Sequence, residues 1–442
     1  MALSYRIIFE TYNTADSAEV SRSHILCEDV ITKPSSLLDL SMGLKKQIDM
    51  LQKAQDHLLS EKLKVFSGKK RCSCCKGKLI KFGKHSSAFH DVLTDHKVTM
   101  QRLKCSDCNH EEPSTIRTAF NGIESAELIK IQAELGATHS FRESEKIFEI
   151  FSSKRRKINN HDRIKNVVEK VGESLEGLAN EEAEILGVEP ALELIVNVDG
   201  GHLKTTEDKR SIEAMTSVIY RPESLETPEG STRASIKSKN CAASALDDGQ
   251  KQMINNTIIA ALKQGLCPTT KIIALCDGAK NCWTIIDALE PLALSVERIL
   301  DWFHITMKIK NIAVQGSHKE KLDKVKWHLW HGNSDTATIR LDELIESCSE
   351  KTSGKLIKFK TYIENNIHKI VNYNDRKEKG LPFTSNLAES TVESLINQRC
   401  KGHQHMRWSR KGLNPLLQLR AAISSKDWDN KWESAVLTAL SN

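Results

Sequence analysis

The sequence predicts an α/β core in its second half, preceded by a small metal-stapled unit and a helical region. Three observations carry this. Two apolar runs, LELIVNVDGG and TKIIALCDGA, each end in Asp-Gly and are followed by strand and helix patterns from about residue 190 onward. Two Cys-x2-Cys pairs, at 72–75 and 105–108, stand well before them. Residues 121–185, between the cysteines and the core, carry apolar positions at helical spacing.

In order along the chain, residues 1–66 form a first region. Within it 36–66 repeat apolar side chains at Leu37, Leu40, Leu44, Ile48, Leu51, Leu58 and Leu59, a helical stripe with charges opposite. Such a stripe serves either packing on its own domain or short-range self-association.

Residues 67–120 read as a zinc ribbon. Cys72 and Cys75 are separated from Cys105 and Cys108 by 29 residues whose alternation suits short strands. Four thiolates so spaced surround Zn²⁺ tetrahedrally, with Cys74 a possible competitor. In so small a unit the bound metal supplies on the order of 10 kcal/mol of folding free energy. Four thiolates leave no open position, so this zinc is structural. The remaining cysteines are scattered singly.

The whole chain of 442 residues has a net charge of +6, yet residues 62–117 alone hold 13 Lys/Arg against 5 Asp/Glu, a local +8. That is the footprint of a polyanionic partner, or of a solvated basic face.

Across 121–185 three helices follow: 124–135 ending at Gly136, a second opened by the capping box Ser140-x-x-Glu143, and a third opened by Asn159-x-x-Asp162. Phe141, Ile147, Phe148 and Phe151 mark the second; Ile164, Val167, Val168 and Val171 mark the third. The basic connector Lys154, Arg155, Arg156 and Lys157 makes this a helix-turn-helix-like DNA reader or a plain helical linker.

The core, 186–310, runs as three strands, a helix, a strand, a helix and a final strand, SVERILDWFHI. That order matches a ribonuclease H-like α/β core. Asp199 and Asp277 sit where buried strands run into glycine, so their carboxylates leave the sheet's end. Two like charges there are costly unless cations neutralise them, which points to two divalent ions, Mg²⁺ or Mn²⁺. Simple Asp-Gly turns are the competing reading. A third ligand comes from Glu389 or Glu393, four apart on one helical face, although Asn386-x-x-Glu389 is itself a capping box. Beyond them, Lys401, Arg407, Trp408, Arg410 and Lys411 read as a segment gripping a nucleic-acid backbone, with Trp408 for stacking, or as a solvated charge run.

Charged residues at 28% and aromatics at 5% suit an ordered cytosolic protein. No apolar run approaches the roughly 20 residues that cross a bilayer, and MALSYRIIFETYNTADSAEV lacks the order of a secretory signal.

VDGGHLKT, ALCDGAKNCW, ILDWFHITMKI and above all SNLAESTVESLINQRCKGHQHMRWSRKGLNPLLQLRAAI resemble bacterial insertion-sequence transposases of the DDE type, closest to the ISKra family. The resemblance covers roughly residues 70–432. It implies Asp199, Asp277 and Glu389 as the catalytic metal-binding acids, Glu389 because it lies nine residues before Gln398-Arg399. It makes His304 an active-site neighbour rather than a ligand. Where family members read GSGVVES-like, this chain reads TSNLAES. The 111 residues 278–388 resemble the helical insertion of such enzymes, bounded here at 311–380, with Trp327 and Trp330 as its core and 381–442 as a last core helix and basic tail.

The implied reaction is metal-dependent cleavage of double-stranded DNA at the element's terminal repeats and strand transfer into target DNA, without a covalent enzyme intermediate. Holding two ends together implies a homodimer or larger assembly, in a bacterial cytoplasm and on the nucleoid when bound. A ribonuclease H-like nuclease that only hydrolyses, and a non-catalytic DNA-binding derivative of a transposase, are the alternatives.

Overall fold

A long antiparallel hairpin opens the chain, β1 (Leu3–Asn13) against β2 (Asp16–Ile31), with Ile7 opposite Cys27. The computed structural model describes residues 3–13, 16–152, 155–181, 187–208, 210–227, 234–312, 314–402 and 406–437. Two units divide it: residues 1–168 with 436–442, and residues 169–435.

In the first unit α1 (Leu44–Phe66) buries Ile48 and Leu63, while Leu44, Leu51, Leu58 and Val65, spaced by seven, stay exposed. The helical stripe expected from residue 36 thus begins eight residues later; Leu37–Asp39 make only one tight turn. A second hairpin, β3 (Leu79–His90) with β4 (Asp95–Cys105), packs Val98 and Met100 on Leu63 of α1 and on Ile116 of α2 (Ile116–Phe120).

Three helices follow: α3 (Ala126–Thr138), α4 (Phe141–Ser152) and α5 (His161–Glu181). The capping box forms, with Ser140 N–H donating to Glu143 Oε2 at 3.0 Å and Glu143 N–H to Ser140 Oγ at 3.3 Å. The cap of α5 is Asn160, whose Oδ1 accepts from Arg163 N–H at 2.8 Å; Asn159 is buried instead, with Gln132 on its Oδ1. Gly136 does not stop α3. A Cβ there would lie 2.6 Å from Val168 and 2.9 Å from Ile164, so the glycine lets α5 pack closely on α3.

Buried charge fixes the turn between β3 and β4. The fully buried His96 side chain joins Asp56 of α1 through Nδ1 (2.7 Å) and Asp91 of the turn through Nε2 (2.9 Å). Burial opposes its charged form, yet the two carboxylates outweigh that and hold its pKa above the ordinary value.

The second unit is built on a five-stranded mixed sheet: β5 (Glu193–Leu203), β6 (Ile212–Tyr220), β9 (Asn240–Ser244), β10 (Lys271–Cys276) and β11 (Ser295–Leu300). A small separate hairpin, β7 (Leu225–Glu226) with β8 (Ser235–Ile236), interrupts the series, so only the end of STRASIKSKNCAASA joins the sheet. The order is β11-β10-β5-β6-β9; β5, β10 and β11 are parallel, and β6 and β9 run antiparallel to their neighbours.

Parallel strands need crossovers, supplied by α6 (Lys251–Lys263) before β10 and α7 (Lys280–Asp287) before β11. Alternate residues Leu194, Val196 and Val198 of β5 enter one core with Met253, Ala260, Ile285 and Ile286 of these helices. The strand expected through SVERILDWFHI ends at Leu300. Asp301 accepts from Phe303 N–H at 3.1 Å and starts α8 (Trp302–Ile312) instead.

Next, α9 (Ser317–Trp330), α10 (Ser334–Ser347) and α11 (Glu350–Asn365) bury Val325, Leu329, Leu341, Leu344, Leu356 and Phe359. Trp327 does not join that core, being 56% exposed. Trp330 turns away to Trp302, Phe383 and Tyr373, the last on α12 (Tyr373–Glu378).

The helix α13 (Asn386–Val392) widens through a π turn at Glu393–Asn397 and narrows again into α14 (Gln398–Cys400). Arg420, on α15 (Arg410–Ser424), donates Nε to Leu395 O at 2.7 Å and Nη2 to Ser394 O, two carbonyls of the widened turn. A last short helix, α16 (Trp428–Lys431), follows. Among the described residues no helix is long and apolar enough to cross a membrane.

Candidate active site

Strand register brings three aspartates into line. Val198 of β5, Cys276 of β10 and Leu300 of β11 lie side by side, and the next residue on each strand is Asp199, Asp277 and Asp301. Neighbouring strands are about 4.8 Å apart, so three carboxyl side chains share the edge where the parallel pairing of β5, β10 and β11 stops; β5 itself does not end at Asp199-Gly200 as expected but runs on to Leu203 against β6. Such ends are where α/β sheets place their ligands.

Each acid is held differently. Asp199 Oδ1 accepts from Gly200 N–H at 2.8 Å. Asp277 Oδ1 accepts from Ala279 N–H at 2.8 Å, its carbonyl accepts from Tyr362 OH at 2.9 Å, and Gly278 turns the chain at φ +92°. A Cβ at Gly278 would lie 2.8 Å from Leu300 and 2.9 Å from Tyr362. Asp301 is fully buried: Oδ1 accepts from Ser385 N–H at 2.9 Å and Oδ2 from Ser385 Oγ at 2.5 Å, besides Phe303 N–H.

Ser385 is the residue whose carbonyl receives Glu389 N–H, at 2.8 Å. Asp301 therefore fixes the start of the helix that presents Glu389. The capping box expected at Asn386-x-x-Glu389 does not form: no side chain caps α13. Glu389 turns to the cleft, while Glu393 is exposed and bonds Asn397 one turn on.

The cleft is lined by Asp199, Asp277, Asp301, His304, Ser385 and Glu389, among others. Within it Asp199, His304 and Glu389 each bring one ligand atom within 4.8 Å of the other two. Asp277 lines the cleft outside that group of three. Burial raises the pKa of Asp199, and the charges of Asp277 and Asp301 add to it. Burial likewise raises Glu389, with the charge of Asp199 next. Carboxylates pushed together in this way are the donor set that a divalent cation neutralises.

The cysteine site has a different character. Cys72, Cys75, Cys105 and Cys108 converge, with Sγ–Sγ separations of 3.3, 3.4 and 3.8 Å for three of the pairs. Bonds of about 2.3 Å to a tetrahedral ion would set sulfurs about 3.8 Å apart. The two knuckles repeat one conformation. Cys72 N–H bonds Gly77 O at 2.9 Å and Cys105 N–H bonds His110 O at 2.8 Å, while Lys76 and Asn109 both take positive φ. Backbone donors from Cys108 and Asp107 lower the Cys105 thiol to about 7. Cys74 is exposed and lies outside the four. The four thiolates fit a structural metal such as zinc.

The basic segments divide. Lys154 lies outside the described residues. Arg155 is exposed and paired with Glu145 at 2.6 Å; Lys157 is exposed. Arg156 is corrected: its buried guanidinium donates to Asp95 Oδ1 and to the carbonyls of Asp91, Val92 and Thr94, so it holds the β3–β4 turn. Trp408 is corrected too, being buried with Nε1 on Cys400 O at 3.1 Å and its backbone N–H on Lys204 O. Arg410 pairs with Glu207 at 2.5 Å. Lys401, Arg407 and Lys411 are exposed.

Sequence reasoning missed Asp301 and Ser385. Asp301 follows the strand SVERIL, which is continuously apolar only at Ile299-Leu300 before it, as Asp199 and Asp277 follow their apolar runs, but Trp302 comes next in place of glycine. The available signal was an acid directly after two buried aliphatic residues at the end of a strand.

Fold and site together define an α/β protein with an acid-and-histidine cluster at the carboxyl ends of parallel strands. The chain belongs to the uncharacterised protein family UPF0236, whose family model matches residues 123–433. That match takes in the whole five-stranded sheet and the cleft and begins after the cysteine site. No curated protein matches the chain.

Proposed function

We propose that this protein is a DNA transposase of an insertion sequence, of the DDE type, working on a ribonuclease H-like core. One observation carries the reading: Asp199 and Asp277 directly follow the last pair of the adjacent parallel strands β5 and β10, and a late helix brings Glu389 against Asp199. The sheet order supports it, with an antiparallel trio β5, β6 and β9 first in the chain and β10 and β11 added parallel beyond β5. Asp199, Asp277 and Glu389 would hold Mg²⁺ or Mn²⁺, two ions, and these would supply activation of a water or a 3′-hydroxyl and charge stabilisation at the leaving oxygen. The chain's own part is position: β5 and β10 fix two carboxylates by register, and Asp301 with Ser385 fixes the helix of the third.

Double-stranded DNA is the substrate, both the element's terminal repeats and the target, and two ends held together call for a homodimer or larger assembly. The exposed Lys157, Lys401, Arg407 and Lys411 contact its backbone, as do the lysines around the zinc-ribbon site. The four cysteines hold structural Zn²⁺ there.

The test is a strand-transfer assay with full-length protein, Mn²⁺ or Mg²⁺, and labelled DNA carrying the flanking element's ends. Products joined to a second duplex, absent for Asp199→Asn and Asp277→Asn with DNA binding retained, are expected. Cleavage without joining would make the protein a hydrolytic nuclease. DNA binding with no metal-dependent product would make it a non-catalytic derivative.

A further inference from the structure

We propose that His304 is a metal ligand, so that Asp199, His304 and Glu389 together hold a transition-metal ion of the Mn²⁺ class in preference to Mg²⁺. The inference rests on the metal-dependent reading of the same cleft and adds a ligand and a metal preference to it. Its first support is convergence. One nitrogen and two carboxylate oxygens, from α8, β5 and α13, lie within 4.8 Å of one another. Three donors spread evenly around one ion at bonds of about 2.2 Å are about 3.8 Å apart, so drawing in by about 1 Å closes the set.

The second support is the way the imidazole is held. His304 lies in the first turn of α8, three residues after Asp301, and its Nδ1 is buried 3.5 Å from Asp301 Oδ2. No hydrogen bond satisfies that nitrogen, although its surroundings are polar. Asp301 cannot swing away to serve another partner, because Ser385 N–H, Ser385 Oγ–H and Phe303 N–H all hold it. A carboxylate locked 3.5 Å from one ring nitrogen acts on the ring through its charge and leaves the other ring nitrogen for a metal; drawing in to hydrogen-bond distance would make it the carboxylate partner that ligating histidines carry. Asp301 is then a positioning residue acting on two ligands at once, His304 directly and Glu389 through Ser385.

The third support is donor chemistry. Mg²⁺ takes oxygen ligands in near-ideal octahedra, whereas an imidazole nitrogen favours first-row transition metals. A site of one nitrogen and two carboxylates therefore discriminates in favour of Mn²⁺ over Mg²⁺.

The experiment reads metal binding rather than turnover. Full-length protein is titrated with Mn²⁺ and followed by electron paramagnetic resonance, Mg²⁺ is scored by competition, and pulsed spectra report directly coordinated nitrogen. Wild type is expected to show one coordinated nitrogen, lost in His304→Gln and in Asp199→Asn and kept in Glu393→Gln. His304→Gln should weaken Mn²⁺ by about tenfold while Mg²⁺ changes by less than about threefold. Wild-type Mn²⁺ bound through Asp199 without nitrogen coupling would overturn the inference and leave the metal-dependent reading standing. Mn²⁺ binding that Asp199→Asn does not alter would overturn both. Should His304→Gln fail to fold, the wild-type and Asp199→Asn spectra decide by themselves.

Discussion

Replacing Arg156 by alanine separates a residue that grips DNA from one that holds the fold. Its guanidinium makes five hydrogen bonds, two to Asp95 Oδ1 at 2.9 and 2.7 Å and three to the carbonyls of Asp91, Val92 and Thr94 at 2.6 to 3.0 Å. Removing one partner of a buried pair costs about 3–5 kcal/mol. The Asp95 side chain is 36% exposed and recovers some hydration, which puts the loss at the low end, about 3 kcal/mol. For a unit of this size 1 kcal/mol shifts the melting temperature by about 2–4 °C, so the Arg156→Ala transition of the first unit should fall by about 6–12 °C. Calorimetry on the full chain measures it, with Arg155→Ala as the exposed neighbour expected to move it by less than about 2 °C. Unchanged melting with weakened, less salt-dependent DNA binding would refute the reasoning and return Arg156 to the DNA surface.

Two further outcomes follow from the first unit. His96 has a raised pKa, so its contribution is complete below the unfolded value of about 6.5 and is lost as pH rises through the folded one. Asp91 is lowered, burial opposing the shift and His96 outweighing it, so its contribution is present above about 4 and is lost as pH falls through its folded pKa. Melting of this unit should therefore peak between about pH 4 and 6.5, and the fall on the alkaline side should vanish in His96→Gln; an unaltered alkaline limb would show that His96 is not the group responsible. Removing metal with a strong thiol-competing chelator, or making Cys105→Ser, should unfold the segment between the cysteine pairs while the sheet unit keeps its transition. Stoichiometric zinc release without loss of structure would contradict the structural role.

What the sequence disclosed depended on whether one local rule governed a position. The cysteine spacing was legible because both knuckles obey the same turn geometry, down to paired positive φ at Lys76 and Asn109. Asp199 and Asp277 were legible because parallel strands are apolar on both faces and the acid with its glycine follows directly on the apolar run, although only β10 stops there and β5 continues to Leu203. Asp301 was passed over because its strand ends in a helix cap rather than a glycine turn. Gly136 misled for the opposite reason, since a glycine at a helix crossing is chosen for the neighbour's side chains and not for its own backbone. Arg156 and Trp408 looked like contacts because composition reports charge and aromaticity but not direction. The opening hairpin was passed over although Tyr5, Ile7, Phe9 and Thr11 of β1 alternate, half-buried, with exposed Ser4, Arg6 and Glu10; exposed Ile8 and Tyr12 on that second face blur the pattern.

The widened turn after α13 has a consequence for the phase of the whole segment. A π turn takes in one residue more than an α turn, and each residue of a helix rotates the chain by about 100°. Glu389 can thus face the aspartates while Leu395, Ile396, Arg399 and Cys400, beyond or within the turn, are buried. Deleting a single residue from 393–397 would tighten the turn, leave the Arg420 guanidinium without its two widened-turn carbonyls and swing the acid about a quarter turn out of the cleft. The spacing between this glutamate and the basic segment behind it is in that sense a setting of angle as well as of distance, and length changes there act as a rotation of the site.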